Sequence, residues 1–115
     1  MFRSFILSIF MLVSIPVMAF DIPEYKGSRV VDTAKVLSVN EVVSLNKHIN
    51  DIEKYYLAEG VQIAILTVPS LPEEGIEEFA NQTFHKWGIG SKEKDTGILL
   101  VVALNDRKMR LEVGY

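Results

Sequence analysis

The seven residues Ile98 to Leu104 (ILLVVAL) carry no polar side chain and stand between Gly97 and Asn105. Such a run suits a central strand covered by helices on both faces. Earlier in the chain, Val61 to Val68 (VQIAILTV) is nearly as apolar, rich in β-branched residues, and bounded by Gly60 and Pro69. It reads as a second strand, buried on most of both faces. After the turn Asn105-Asp106-Arg107-Lys108, Met109, Leu111 and Val113 alternate with Arg110, Glu112 and Gly114. That period of two marks a half-exposed strand, paired antiparallel with the one before it and nearer the sheet edge.

Helices fill the intervals. Ser38-Val39-Asn40-Glu41 is a capping box, in which the serine hydroxyl and the glutamate carboxylate answer each other's amides. Val42, Leu45, Ile49, Ile52 and Tyr56 then share one helical face, and Gly60 is expected to end that helix. Ile76, Phe79, Ala80, Thr83, Phe84 and Trp87 define a second helix, stopped at Gly88-Ile89-Gly90. With an extended piece at Arg29 to Asp32, the order is strand, helix, strand, helix, strand, strand. The crossover from Val61 to Leu104 is expected to be parallel and right-handed. The fold class is therefore α/β: a small mixed sheet with helices packed on its faces and the last two strands an antiparallel hairpin.

The first 19 residues differ from the rest. Fourteen are apolar, and Arg3 is their one charged side chain. A positive start, an apolar stretch from Phe5 to Ile15 and Val17-Met18-Ala19 describe a signal peptide, cut between Ala19 and Phe20. Ser4 to Phe20 is also 17 uncharged residues, so an uncleaved anchor is the competing reading. Both place residues 20–115 outside the cytoplasm, in the periplasm or on the extracytoplasmic face of a membrane. That domain has eleven basic against fifteen acidic residues and no basic run, which argues against nucleic acid as a partner. The absence of cysteine excludes disulfides, thiolate metal sites and a cysteine nucleophile.

Four segments, VVDTAKVLS (Val30 to Ser38), VQIAILTVPSL (Val61 to Leu71), WGIG (Trp87 to Gly90) and KDTGILLVVALNDRKMRLEVGY (Lys94 to Tyr115), resemble the TPM-domain family in sequence and order. That family includes the bacterial YgcG-like proteins and a thylakoid-lumen branch. The resemblance implies an exported α/β domain that works near membranes on partner proteins. In the family the last motif usually continues with another glycine, an acidic residue and further helices, often with a membrane segment. A domain incomplete at its C-terminal end is accordingly expected. The apolar strand at Ile98 to Leu104 agrees, since two helices are few to cover both its faces.

Asp32 follows the first extended segment and Asp106 lies in the turn after the central strand. Both leave from the carboxyl edge of the sheet, where ligands bind in open α/β folds. Two carboxylates there suit a hard divalent cation, Ca²⁺ or Mg²⁺. The resemblance points the same way, since acidic positions and a divalent metal are associated with the family. The plainer reading is that Asp32 caps a turn and Asp106 is a solvated turn residue. Asp95 belongs to the opposite end of a seven-residue strand, about 23 Å from Asp106, and reads as part of a turn. No organic cofactor is indicated.

The remaining polar residues carry less. His85 reads as solvated and His48 as half-buried and structural, with no serine and acid spaced for a triad. Tyr55-Tyr56 and Trp87 read as core and rim, and Asn81-Gln82-Thr83 is a sequon in mid-helix. Gly88 and Gly90 are too few for a phosphate loop, and the scattered lysines suit a solvated surface. Two functions follow. One is an accessory or binding module for a membrane-protein partner, in assembly, repair or modulation. The alternative, implied by the thylakoid-lumen branch, is a metal-assisted acid-phosphatase-like hydrolase. For the latter Asp32 and Asp106 offer ligands and Arg107 and Lys108 charge, but no nucleophile or general base is evident.

Overall fold

The computed structural model describes residues 21–25, 27–90 and 95–114. The signal peptide expected at residues 1–19 and its expected cleavage point lie outside them. In chain order come β1 (Val30–Asp32), α1 (Val39–Tyr55), β2 (Gln62–Val68), α2 (Gly75–Trp87), β3 (Gly97–Ala103) and β4 (Lys108–Val113). The strands make one sheet in the order β1-β2-β3-β4. β1, β2 and β3 are parallel, and β4 returns antiparallel to β3 with Leu100 opposite Leu111 and Val102 opposite Met109. This is the mixed α/β sheet and terminal hairpin that the periodicities specify.

The capping box forms as read. Ser38 Oγ accepts from the Glu41 amide at 3.1 Å, and the Glu41 carboxylate accepts from the Ser38 amide at 2.8 Å. The other end of α1 differs from expectation. The helix stops at Tyr55, and Gly60 closes a separate 3₁₀ turn, Leu57–Glu59, in the left-handed conformation with φ 72°. Helix ends commonly tighten this way, because i+3 bonds satisfy carbonyls that the α-helix leaves open. Tyr55 and Leu57 are exposed and Tyr56 is only about half covered, so this aromatic pair is surface rather than core. His48 is exposed too, with its Nδ1 on the Ser44 carbonyl one turn back, rather than half-buried.

One face of the sheet holds the core. Ala64, Leu66 and Val68 of β2 and Leu99, Val101 and Ala103 of β3 pack with Phe79, Ala80 and Trp87 of α2. Thr83 is fully buried in the same helix, its hydroxyl donating to the Phe79 carbonyl. The chain before β1 completes this face. Ile22 and Tyr25 pack on the core, Tyr25 stacks on Trp87 with centroids 4.7 Å apart, and the Trp87 indole donates to the Pro23 carbonyl at 2.8 Å.

The opposite face is only partly covered. There Val30 and Ile49 are buried, and α1 packs on β1 and β2. On the β3–β4 half of that face Ile98, Leu100 and Val102 are half-buried, while Met109 and Leu111 are 69% and 57% exposed. The expectation that the central strand is covered on both faces is therefore corrected. α1 spans the width of two strands, and the described residues supply no second helix beside it.

Candidate functional site

The carboxyl edge of the parallel strands is organised by Asp32. β1 ends there beside Thr67 of β2, and Thr67 Oγ1 donates to Asp32 Oδ1 at 2.6 Å. The chain then turns back over the carboxylate, so that the amides of Val36 and Leu37 donate to Oδ1 and Oδ2 at 3.2 and 2.9 Å. Lys35 takes a left-handed φ of 57° within this turn. Thr33 donates through both its amide and its hydroxyl to the Thr67 carbonyl, and the Ala34 amide donates to Thr67 Oγ1. Burial alone would raise the Asp32 pKa. The donors from Thr67, Leu37, Val36 and Lys35 outweigh it and hold the carboxyl below its ordinary 3.8. Asp32 is thus a charged carboxylate that closes the loop into the capping box of α1.

Asp106 stands at the same edge on a different turn. Its Oδ1 accepts from the Leu71 amide at 3.0 Å. Beside it Asn105 donates through its amide to the Pro69 carbonyl and through Nδ2 to Ser70 Oγ. The β3–β4 turn and the β2–α2 connection are thereby tied together, with Arg107 in a left-handed φ of 53°. Edge and orientation are as the sequence suggests, but the two carboxylates are not one constellation. They sit two strand spacings apart, about 10 Å laterally, and each answers donors of its own loop. Ca²⁺ draws on about six to eight oxygens. Among the described residues no group of three or more acidic or histidine side chains could hold an ion. Asp32 and Asp106, with three and one of their acceptor positions already used, do not by themselves fit such a cage.

The opposite, amino edge carries a cleft of about 470 Å³ between α2 and β4. Asn81 and His85 of α2, Asp95, and Glu112 of β4 line it over a floor that includes Phe84 and Ile89. The floor is low because backbones meet there. A Cβ on Gly97 would lie 2.4 Å from the Ile89 carbonyl oxygen, and one on Gly90 2.3 Å from the Gly97 nitrogen. Asp95 sits in a turn with φ 51°, as read, and His85 is exposed. Glu112, a residue the sequence did not single out, accepts from Arg110 Nε at 2.9 Å and from Asn81 Nδ2 at 3.4 Å.

A second unforeseen group lies beside β1. Arg29 Nε and Nη2 grip Glu53 at 2.9 to 3.2 Å, and Nη1 donates to the Tyr25 hydroxyl at 2.9 Å. Glu53 also accepts from the Ile63 amide at 3.0 Å. Hydrogen bonding to Glu53 raises the Arg29 pKa above its usual value despite partial burial. Nothing in the pattern around Glu53 announces this, because a charge on a helix ordinarily reads as solvated. Thr67 had a signal: it is the one hydroxyl in an otherwise apolar stretch of β2.

The model of the TPM domain matches residues 30–115. The chain belongs to the TPM-domain family. Among solved structures, it is similar to the solution NMR structure of the N-terminal domain of a protein from P. gingivalis, at 31% identity and a TM-score of 0.67. That likeness covers 76% of this chain and 54% of the other, so this TPM-domain chain spans about half the length of that structure. No curated protein matches it.

Proposed function

We propose that this TPM-domain chain is an exported accessory module that binds a membrane-protein partner on the extracytoplasmic side, in its assembly, repair or modulation. The observation that carries the reading is the apolar strip on the β3–β4 half of the sheet. Leu100 and Val102 stand half-buried beside the exposed Met109 and Leu111 on a face that α1 leaves open. Contiguous apolar surface at the rim of a charged domain is where partners dock. Signal-like residues 1–19 support the address.

Vesicle co-sedimentation tests it. The full chain is expected to sediment with native membrane vesicles, to lose that association when they are stripped of exposed protein by protease, and to ignore vesicles of the same lipids alone. Met109→Lys combined with Leu111→Gln should abolish the association. Equal sedimentation with pure lipid would overturn the reading. So would phosphomonoester hydrolysis that needs Ca²⁺ or Mg²⁺ and disappears in Asp32→Asn, which would make the chain a metal-assisted hydrolase instead.

A further inference from the structure

The cleft at the amino edge lies on the face opposite the apolar strip and has no part in the function proposed above. Its volume, about 470 Å³, is within the range of small-ligand sites. Among the described residues, the polar side chains that line it present mainly acceptors, with the Arg110 guanidinium engaged by Glu112. The His85 Nδ1 lies 2.8 Å from the Asn81 carbonyl, which can only accept, so Nδ1 carries a proton and it is Nε2 that is left to face the cleft. Asn81 directs its amide nitrogen to Glu112 Oε2, which leaves the carboxamide oxygen. Arg110 holds Glu112 Oε1, so Oε2 is the less engaged oxygen of that carboxylate. Asp95 adds a second carboxylate from the turn before β3.

These groups come from three separate segments, and Asn81, Asp95 and Glu112 all present oxygen acceptors. α2 ends here at Gly88, and the negative end of its dipole falls on the same cleft. Phe84 supplies an aromatic surface beneath. The complement of acceptors, carboxylates, a helix C-terminus and an aromatic ring is a cation rich in donors with an apolar stem. A bare metal ion is a poor match, because no three acidic or histidine side chains among the described residues stand close enough to share one. We propose that the cleft between α2 and β4 binds an organic cation, an alkylammonium or alkylguanidinium. The same head group exists on free amines and on basic side chains of polypeptides.

The test is a titration of the isotope-labelled full chain with agmatine and, separately, with N-acetyl-arginine-N-methylamide. It is followed by amide NMR at Gly90, Asp95, Gly97 and Glu112. Saturable shifts at these amides are expected, with no saturable response to N-acetyl-glutamate-N-methylamide. Asp95→Asn, which the left-handed backbone at this position tolerates, should weaken binding about threefold to fivefold, the worth of one exposed charge pair. Glu112→Gln should weaken it as well. Saturation by agmatine alone identifies a free amine, and saturation by both identifies a polypeptide side chain. Shifts that rise without saturating, an equal response to the acidic analogue, or undiminished affinity in both variants would overturn the proposal.

Discussion

At the scale of single residues, Asp32 shows how far a sequence position can be read without its partners. Its place at the end of β1 is legible from the extended segment before it. What the carboxylate does is not, because the deciding donors are the hydroxyl of Thr67, 35 residues away, and amides of a loop with no regular period. Their joint effect sets a pH dependence. Since the folded carboxyl has the lower pKa, its stabilisation is fully present above the unfolded value near 3.8. It is lost as pH falls through the depressed folded value. Urea midpoints should therefore drop below about pH 4, and the drop should be smaller in Asp32→Ala. At neutral pH that variant should lose about 1–2 kcal/mol, since the part-buried Leu37 amide and Thr67 hydroxyl lose their acceptor. An Asp32→Ala chain as stable as the parent at pH 7 would contradict this role.

Among the elements, α1 is the instructive one. Its start was legible to the residue, because a capping box is a local signal. Its seat on the sheet was not. Of the expected stripe only Ile49 is buried, and Ile52 and Tyr56 are 42% and 44% exposed. Polar ties supplement that apolar contact. Asn46 accepts from the Arg29 amide at 2.8 Å, and Glu53 joins the Arg29 guanidinium to the Ile63 amide at the start of β2. One helical side chain thus anchors both strands beneath it. Glu53→Ala should cost about 2–3 kcal/mol in urea unfolding. That is more than an exposed pair and less than a fully buried one, since the side chains retain 13% and 23% of their exposure. Arg29→Lys should recover only part of the loss, because a lysine ammonium cannot reproduce the two-pronged contact. A change under about 0.5 kcal/mol in Glu53→Ala would show that apolar packing alone seats the helix.

For the molecule as a whole, the two faces of one sheet separate what composition can and cannot reveal. Ile98 to Leu104 is uniformly apolar, so the strand itself was unmistakable. Whether each of its faces is covered depends on surfaces elsewhere in the chain. One face meets α2, and Leu99 and Val101 are fully buried. The other meets α1 only as far as β2, and β4 carries Met109 and Leu111 into solvent. The same residue type then has opposite energetic meaning on neighbouring positions. Leu99→Ala removes side-chain volume from a closed core and should cost about 2–5 kcal/mol. Met109→Lys with Leu111→Gln removes apolar area that water already wets, so the unfolding free energy should change by no more than about 0.5 kcal/mol per site. Self-association is where the second pair should register. Sedimentation velocity should find the doubly substituted chain less prone than the parent to concentration-dependent association, since the strip it loses is an apolar patch beside an edge strand. If the double substitution instead destabilises the fold as strongly as Leu99→Ala, the strip is part of a core, and the docking surface proposed for it does not exist.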